Sequence, residues 1–175
     1  MKRIRVTGTP DLDAMPDVFA LLAAATHAAE TRLLEWTLHG PDGVTVLFVV
    51  EGDVDAFRAE LGGATMVRRA EFEVLEADRF ALLVTLAPAA APMMQSAVET
   101  MTQAGLIVLK PVVYRNGRVH ASFVGEPEAL QTVTEELPPA GTLTVDAIGE
   151  FRGGPATGAG LSARQREALE IAARL

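Results

Sequence analysis

The sequence predicts an α+β protein built from two consecutive βαββαβ units, each a ferredoxin-like sandwich with an antiparallel sheet and two helices on one face. Three observations carry that expectation. Strand-like and helix-like periodicities follow one another in the order β-α-β-β-α-β, twice. The segment Gly52-Asp-Val-Asp-Ala-Phe57 matches Gly125-Glu-Pro-Glu-Ala-Leu130 position by position at a constant offset of 73 residues. Upstream of each copy, Asp42-Gly43 and Asn116-Gly117 hold corresponding places, and both dipeptides supply the positive φ angles that tight hairpins demand.

The first unit, residues 1–78, opens on a strand at Lys2–Thr9. A helix is expected over Pro16–Ala29, an alanine-rich stretch with proline in its first turn, where the missing N–H costs nothing. Strands follow at Thr31–Leu38 and Val44–Val50. A shorter helix, Asp53–Leu61, starts with carboxylates that complement the positive end of its dipole, and Met66–Glu76 is the closing strand.

The second unit, residues 79–152, repeats the order. Its strands are expected at Phe80–Leu86, Leu106–Tyr114, Arg118–Val124 and Thr142–Phe151. Its first helix, Pro92–Ala104, places Met94, Ala97, Val98 and Met101 at i, i+3, i+4 and i+7 and ends at the cap residue Gly105. Its second helix is expected over Pro127–Leu137. Residues 153–160, Gly-Gly-Pro-Ala-Thr-Gly-Ala-Gly, read as a flexible linker, and they match no phosphate-cradling glycine pattern.

Residues 161–175 form a capped amphipathic helix in this reading. Ser162 and Gln165 make a capping box, Leu161 staples the first turn, and Leu169, Ala172 and Ala173 recur at helical spacing while Arg164, Glu167 and Arg174 point elsewhere.

The bulk chemistry narrows the function. The chain has 175 residues, 49% of them hydrophobic, a net charge of −8 and no cysteine. Disulfides and thiolate metal sites are therefore excluded. Three arginines against two glutamates give residues 161–175 a net +1, which leaves −9 on the rest. Nucleic-acid affinity rests on clustered Lys and Arg, so the body is not expected to bind DNA. No apolar run approaches the ~18 residues of a membrane span, and a cytoplasmic protein is expected. His27, His39 and His120 are far apart, and no hydrolase or zinc-protease pattern occurs, so neither catalysis, metal nor cofactor is expected.

The phrase Leu161-Ser-Ala-Arg-Gln-Arg-Glu-Ala-Leu-Glu-Ile-Ala-Ala173 resembles the first helix of the helix-turn-helix in the bacterio-opsin activator-like regulators of haloarchaea. Region-four-like sigma factors and LuxR-type response regulators open on a similar phrase. The stretches Val46–Phe57, Gly105–Gly117, Gly125–Leu130 and Leu143–Arg152 look like the N-terminal domain preceding that helix-turn-helix, and they occur in the same order. The resemblance implies the sensory or dimerisation region of an archaeal transcription regulator, with Ser162, Arg164, Gln165 and Arg166 on a supporting first helix of a truncated DNA-binding unit. DNA would then be bound through the full-length helix-turn-helix and not by this chain alone, and a homodimer is expected. A stand-alone small-molecule-binding module resembling the ACT domains is the alternative, with the last helix a structural appendage.

One asymmetry points to a site. Arg118, His120 and Ser122 alternate with apolar neighbours, so that sheet face is polar in the second unit. The aligned face of the first unit carries Thr45, Leu47 and Val49 and should be covered by the other unit or a second subunit. A small polar effector is accordingly expected at Arg118 and His120, with Tyr114 nearby. Met94 and Met101 read as core, whereas Trp36 and Tyr114 suit a pocket wall or a half-buried strand equally.

Overall fold

The fold is that of a computed structural model, which describes residues 1–13, 17–24, 27–38, 43–129 and 141–151. Its elements are β1 (Lys2–Pro10), α1 (Asp17–Ala24), β2 (Ala28–Leu38), β3 (Val44–Gly52), α2 (Val54–Leu61), β4 (Val67–Glu76), β5 (Arg79–Leu86), a 3-10 turn (Pro88–Ala90), α3 (Ala91–Gln103), β6 (Ile107–Arg115), β7 (Arg118–Gly125) and β8 (Gly141–Glu150). Residues 127–129 are helical, and the rest of the expected Pro127–Leu137 helix lies outside the described residues. So do the linker 153–160 and the helix 161–175, with Ser162, Arg164, Gln165 and Arg166.

Two separate ferredoxin-like, ACT-like sandwiches do not form. The strands make one continuous eight-stranded sheet, ordered β4-β5-β3-β2-β6-β7-β1-β8, and each neighbouring pair is antiparallel. The reason lies in the pairing. β1, expected beside the strands of the first unit, lies between β7 and β8, while β5 lies between β4 and β3. Each half of the sheet therefore holds a strand from the other part of the chain. β2 and β6 join the halves through Thr31↔Tyr114, Arg32↔Val113 and Leu33↔Val112, which removes the two free edges that separate sheets would expose there.

Alternation decides which side of the sheet is core. Val44, Val46, Phe48 and Val50 of β3 and Phe80, Leu82, Val84 and Leu86 of β5 are all buried, and their neighbours in sequence face the other way. Onto this face α1 packs Val18, Phe19, Leu22 and Ala23, and α2 packs Phe57 and Leu61. The Phe80 ring lies 5.6 Å from Phe57 and 5.8 Å from Phe72. A second cluster of Ile4, Val6, Leu106 and Phe123 continues the core under the other half.

Local chemistry places the helix ends. Asp53 caps α2, its carboxylate accepting from the backbone N–H groups of Asp55 at 2.9 Å and Ala56 at 3.0 Å, as the Gly-acid-x-acid spacing anticipates. Gly105 takes φ +70° just beyond α3 and closes it as expected. The expected Pro16–Ala29 helix is shorter in the structure: α1 ends at Ala24, and Ala28 and Ala29 belong to β2. Alanine favours a helix locally, but here Ala28 pairs with Gly52 across the sheet, and tertiary pairing prevails.

Candidate functional site

The face of the sheet that no described helix covers carries the site. Arg32 of β2 lies opposite Val113 of β6, Val113 opposite His120 of β7, and His120 opposite Thr7 of β1. Residues directly opposite in antiparallel strands share a face, so this row sets Arg32, His120 and Thr7 on one surface. Beside it, Arg5 faces Ser122. Together these strands line a groove of about 630 Å³ whose charged and polar walls are Arg3, Arg5, Glu30, Arg32, Arg115, His120, Ser122 and Asp146.

Four arginines against two carboxylates make the groove a cationic patch on a chain of net charge −8. The carboxylates do not neutralise it evenly. Glu30 sits between two of the arginines, 2.6 Å from Arg32 Nε and 3.3 Å from Arg115 Nη1. Arg32 also reaches Glu51 at 3.5 Å. On β1, Arg3 donates to the Ser122 hydroxyl at 3.1 Å while its Nε is buried without a hydrogen-bond partner among the described residues. Arg5 has no ion pair among the described residues. Among the described residues, no carboxylate pairs with either guanidinium.

A second feature lies across the groove. β8 bulges opposite Arg5 and Val6, since Ala147 pairs with Arg5 and Val145 with Val6, so Asp146 is the extra residue. Bulges re-aim side chains, and this one brings the Asp146 carboxylate 2.7 Å from Thr7 Oγ1. Thr7 Oγ1 is also 2.9 Å from His120 Nδ1. A threonine hydroxyl has one proton. With that proton donated to Asp146, the hydrogen on the His120 side must come from Nδ1. Nδ1 is thereby the ring nitrogen that carries the hydrogen toward Thr7.

The residues expected from the sequence part company here. His120 lines the groove, whereas Arg118 stands exposed at the hairpin end opposite Arg115, outside the groove lining. Tyr114 is on the other side of the sheet. It pairs with Val119 rather than with His120, and only 6% of it is exposed. Burial pushes its phenol well above the ordinary value. The groove residues that sequence reasoning passed over are Arg3, Arg5, Arg32, Arg115, Glu30 and Asp146. Arg3 and Arg5 did carry a signal, the alternation with Ile4 and Val6, but nothing local places β1 beside β7. Among the described residues no group of three or more His, Asp or Glu side chains is placed to hold a metal ion, and no described helix is long and apolar enough to cross a membrane.

Residues 17–151 match the family model described as HVO_0513_N, N-terminal. The chain belongs to the HVO_0513_N family. Comparison with curated proteins gives no match. In this HVO_0513_N member the matched segment holds Glu30, Arg32, Arg115, His120, Ser122 and Asp146, while Arg3, Arg5 and Thr7 come from β1, ahead of it. The groove is completed by a strand outside the matched residues.

Proposed function

We propose that this HVO_0513_N chain is the N-terminal sensory and dimerisation region of a cytoplasmic DNA-binding transcription regulator of the bacterio-opsin activator-like type. In this reading it is non-catalytic and takes a small anionic effector in the arginine groove. The observation that carries the ligand reading is the excess of guanidinium over carboxylate in one groove of an otherwise acidic chain. Planar, permanently charged guanidinium groups suit bidentate recognition of carboxylate or phosphate. The phrase at residues 161–173 and the family-like stretches ahead of it support the regulator reading. The net charge of −8 supports a reading in which this chain alone does not contact DNA.

The same face, which no described helix covers, supports the dimer. Leu47 faces Leu83 and Val49 faces Ala81 across β3 and β5, and Leu83 is 37% exposed. These residues form an apolar strip beside the charged groove, a surface suited to a second copy. Sedimentation of a Leu83→Lys variant should show a monomer, and an unchanged dimer would refute that assignment.

A mobility-shift experiment tests the regulator reading. The present chain should leave duplex DNA unshifted at moderate salt, and the polypeptide extended through the downstream reading frame should shift its own upstream region. Failure of the extended polypeptide to bind would favour the stand-alone small-molecule-binding module, which shares the groove but needs no DNA.

A further inference from the structure

A second cavity lies on the opposite side of the sheet, under α3. The apolar face of α3 runs through Met94, Ala97, Val98 and Met101, yet Ala91 is its only buried residue. α1, with 8 residues, buries four. The helix stands off from β6 and β7 and leaves a crevice of about 250 Å³ whose walls include Trp36, Met94, Ala97, Met101, Tyr114 and Phe123.

The polar content of this crevice is small and specific. A tyrosine as buried as Tyr114 ordinarily finds a hydrogen-bond partner for its hydroxyl. Here none occurs among the described residues; the oxygen is not among the fully enclosed side-chain atoms, and it belongs to a side chain lining the cavity. Among the described residues, none that lines the crevice is charged. The cation next to it, Lys110, lies 4.2 Å from the centre of the Trp36 ring and is paired with Glu35. A charged guest would lose its hydration without gaining a counter-ion. A neutral guest with one acceptor would cover the apolar walls and satisfy the phenol. Methionine side chains adapt to irregular apolar shapes, which suits a wall that closes on such a guest.

We propose that the crevice between α3 and the sheet is a binding site for a neutral apolar small molecule of one or two rings, whose single oxygen accepts a hydrogen bond from Tyr114. This site opens on the other face of the sheet from the arginine groove and differs from it in ligand chemistry, with Ala121 of β7 bordering both. β6 and β7 form the partition between them: Val113 and His120 face the groove, and Tyr114 and Phe123 face the crevice.

Trp36 is the only tryptophan and lies on the crevice wall, so its fluorescence reports occupancy. The probes are 2-acetylnaphthalene and 2-ethylnaphthalene, close in size and different in the presence of an acceptor. Both should quench Trp36 saturably at one molecule per chain, with the ketone about 5–10-fold tighter. Tyr114→Phe should abolish that preference, and Ala97→Phe, which fills the crevice, should weaken both probes at least about 10-fold. Non-saturable quenching, a ketone preference that survives Tyr114→Phe, or full affinity in folded Ala97→Phe would each overturn the proposal. Should either variant fail to fold, methyl spectra of the wild-type chain decide. Saturating ketone should shift the signals of Met94 and Met101, and shifts confined to Met1 and Met66 would overturn the assignment.

Discussion

Thr31 of β2 and Tyr114 of β6 lie directly opposite one another at the join between the two halves of the sheet. Both are buried, and the Thr31 hydroxyl has no hydrogen-bond partner among the described residues. An unsatisfied buried hydroxyl costs about 1–3 kcal/mol. Thr31→Val keeps the β-branched shape and removes the hydroxyl, so it should stabilise the chain by about 1 kcal/mol and raise Tm by roughly 2–4 °C. Calorimetry on the variant checks this, and a fall in Tm would mean that Thr31 has a partner in solution.

Tyr114 is the only tyrosine, which makes its ionisation directly visible as the ultraviolet phenolate band. Burial raises its pKa in the folded chain above the ordinary value of 10.0. A group with a raised folded pKa contributes stability that is fully present below the unfolded pKa and is lost as pH rises through the folded one. The phenolate band should therefore appear together with loss of the circular-dichroism signal, at a pH above 10. Reversible ionisation near pH 10 with the fold intact would contradict the burial.

Much of this architecture is legible locally. The alternation in β3 and β5 identifies their core faces, Gly-acid-x-acid marks the start of α2, and Gly105 marks the end of α3. Periodicity tells which residues share a face of a strand, but not which strand lies alongside. The exchange of β1 and β5 between the two halves of the sheet is therefore silent in the sequence. The groove inherits that silence, because Arg3, Arg5 and Thr7 meet His120, Ser122 and Asp146 only through the placement of β1. The sequence reading sets Tyr114 near the side of Arg118 and His120. The register instead opposes it to Val119, which turns its ring toward α3.

Asp17 ties the start of α1 to the approach of β4. Its carboxylate accepts from the backbone N–H and the hydroxyl of Thr65, the latter at 2.8 Å, and from Val18 N–H at 2.9 Å. Partial burial acts to raise its pKa, but the hydrogen bonds from Thr65, Met66 and Val18 outweigh it and the net shift is downward. With a lowered folded pKa, this contribution is present above the unfolded value, near 3.8, and lost as pH falls through the folded one. Asp17→Asn should cost about 1 kcal/mol at neutral pH and show a weaker loss of stability between pH 4 and pH 2 than the wild type. Parallel acid-denaturation curves would contradict this.

Gly52 is required by close packing rather than by its dihedral angles. A Cβ there would stand 2.2 Å from the carbonyl oxygen of His27 and 2.8 Å from Ala28 Cα, both backbone atoms that cannot move without disturbing the β2–β3 pairing. Gly52→Ala should destabilise by about 1–3 kcal/mol, measured by urea unfolding. A neutral result would show that this strand end is looser than its contacts indicate.

The ligand reading stands or falls on the arginine groove. Calorimetric titration with inorganic pyrophosphate, a small polyanion free of any particular scaffold, measures it most directly. The wild-type chain should bind one molecule saturably, with affinity that falls as salt is raised, and Arg5→Ala should weaken binding about 10-fold or more while Lys2→Ala leaves it within about twofold. Absence of saturable binding at low salt, or equal affinity in the wild type and Arg5→Ala, would contradict an anion site on this face of the sheet.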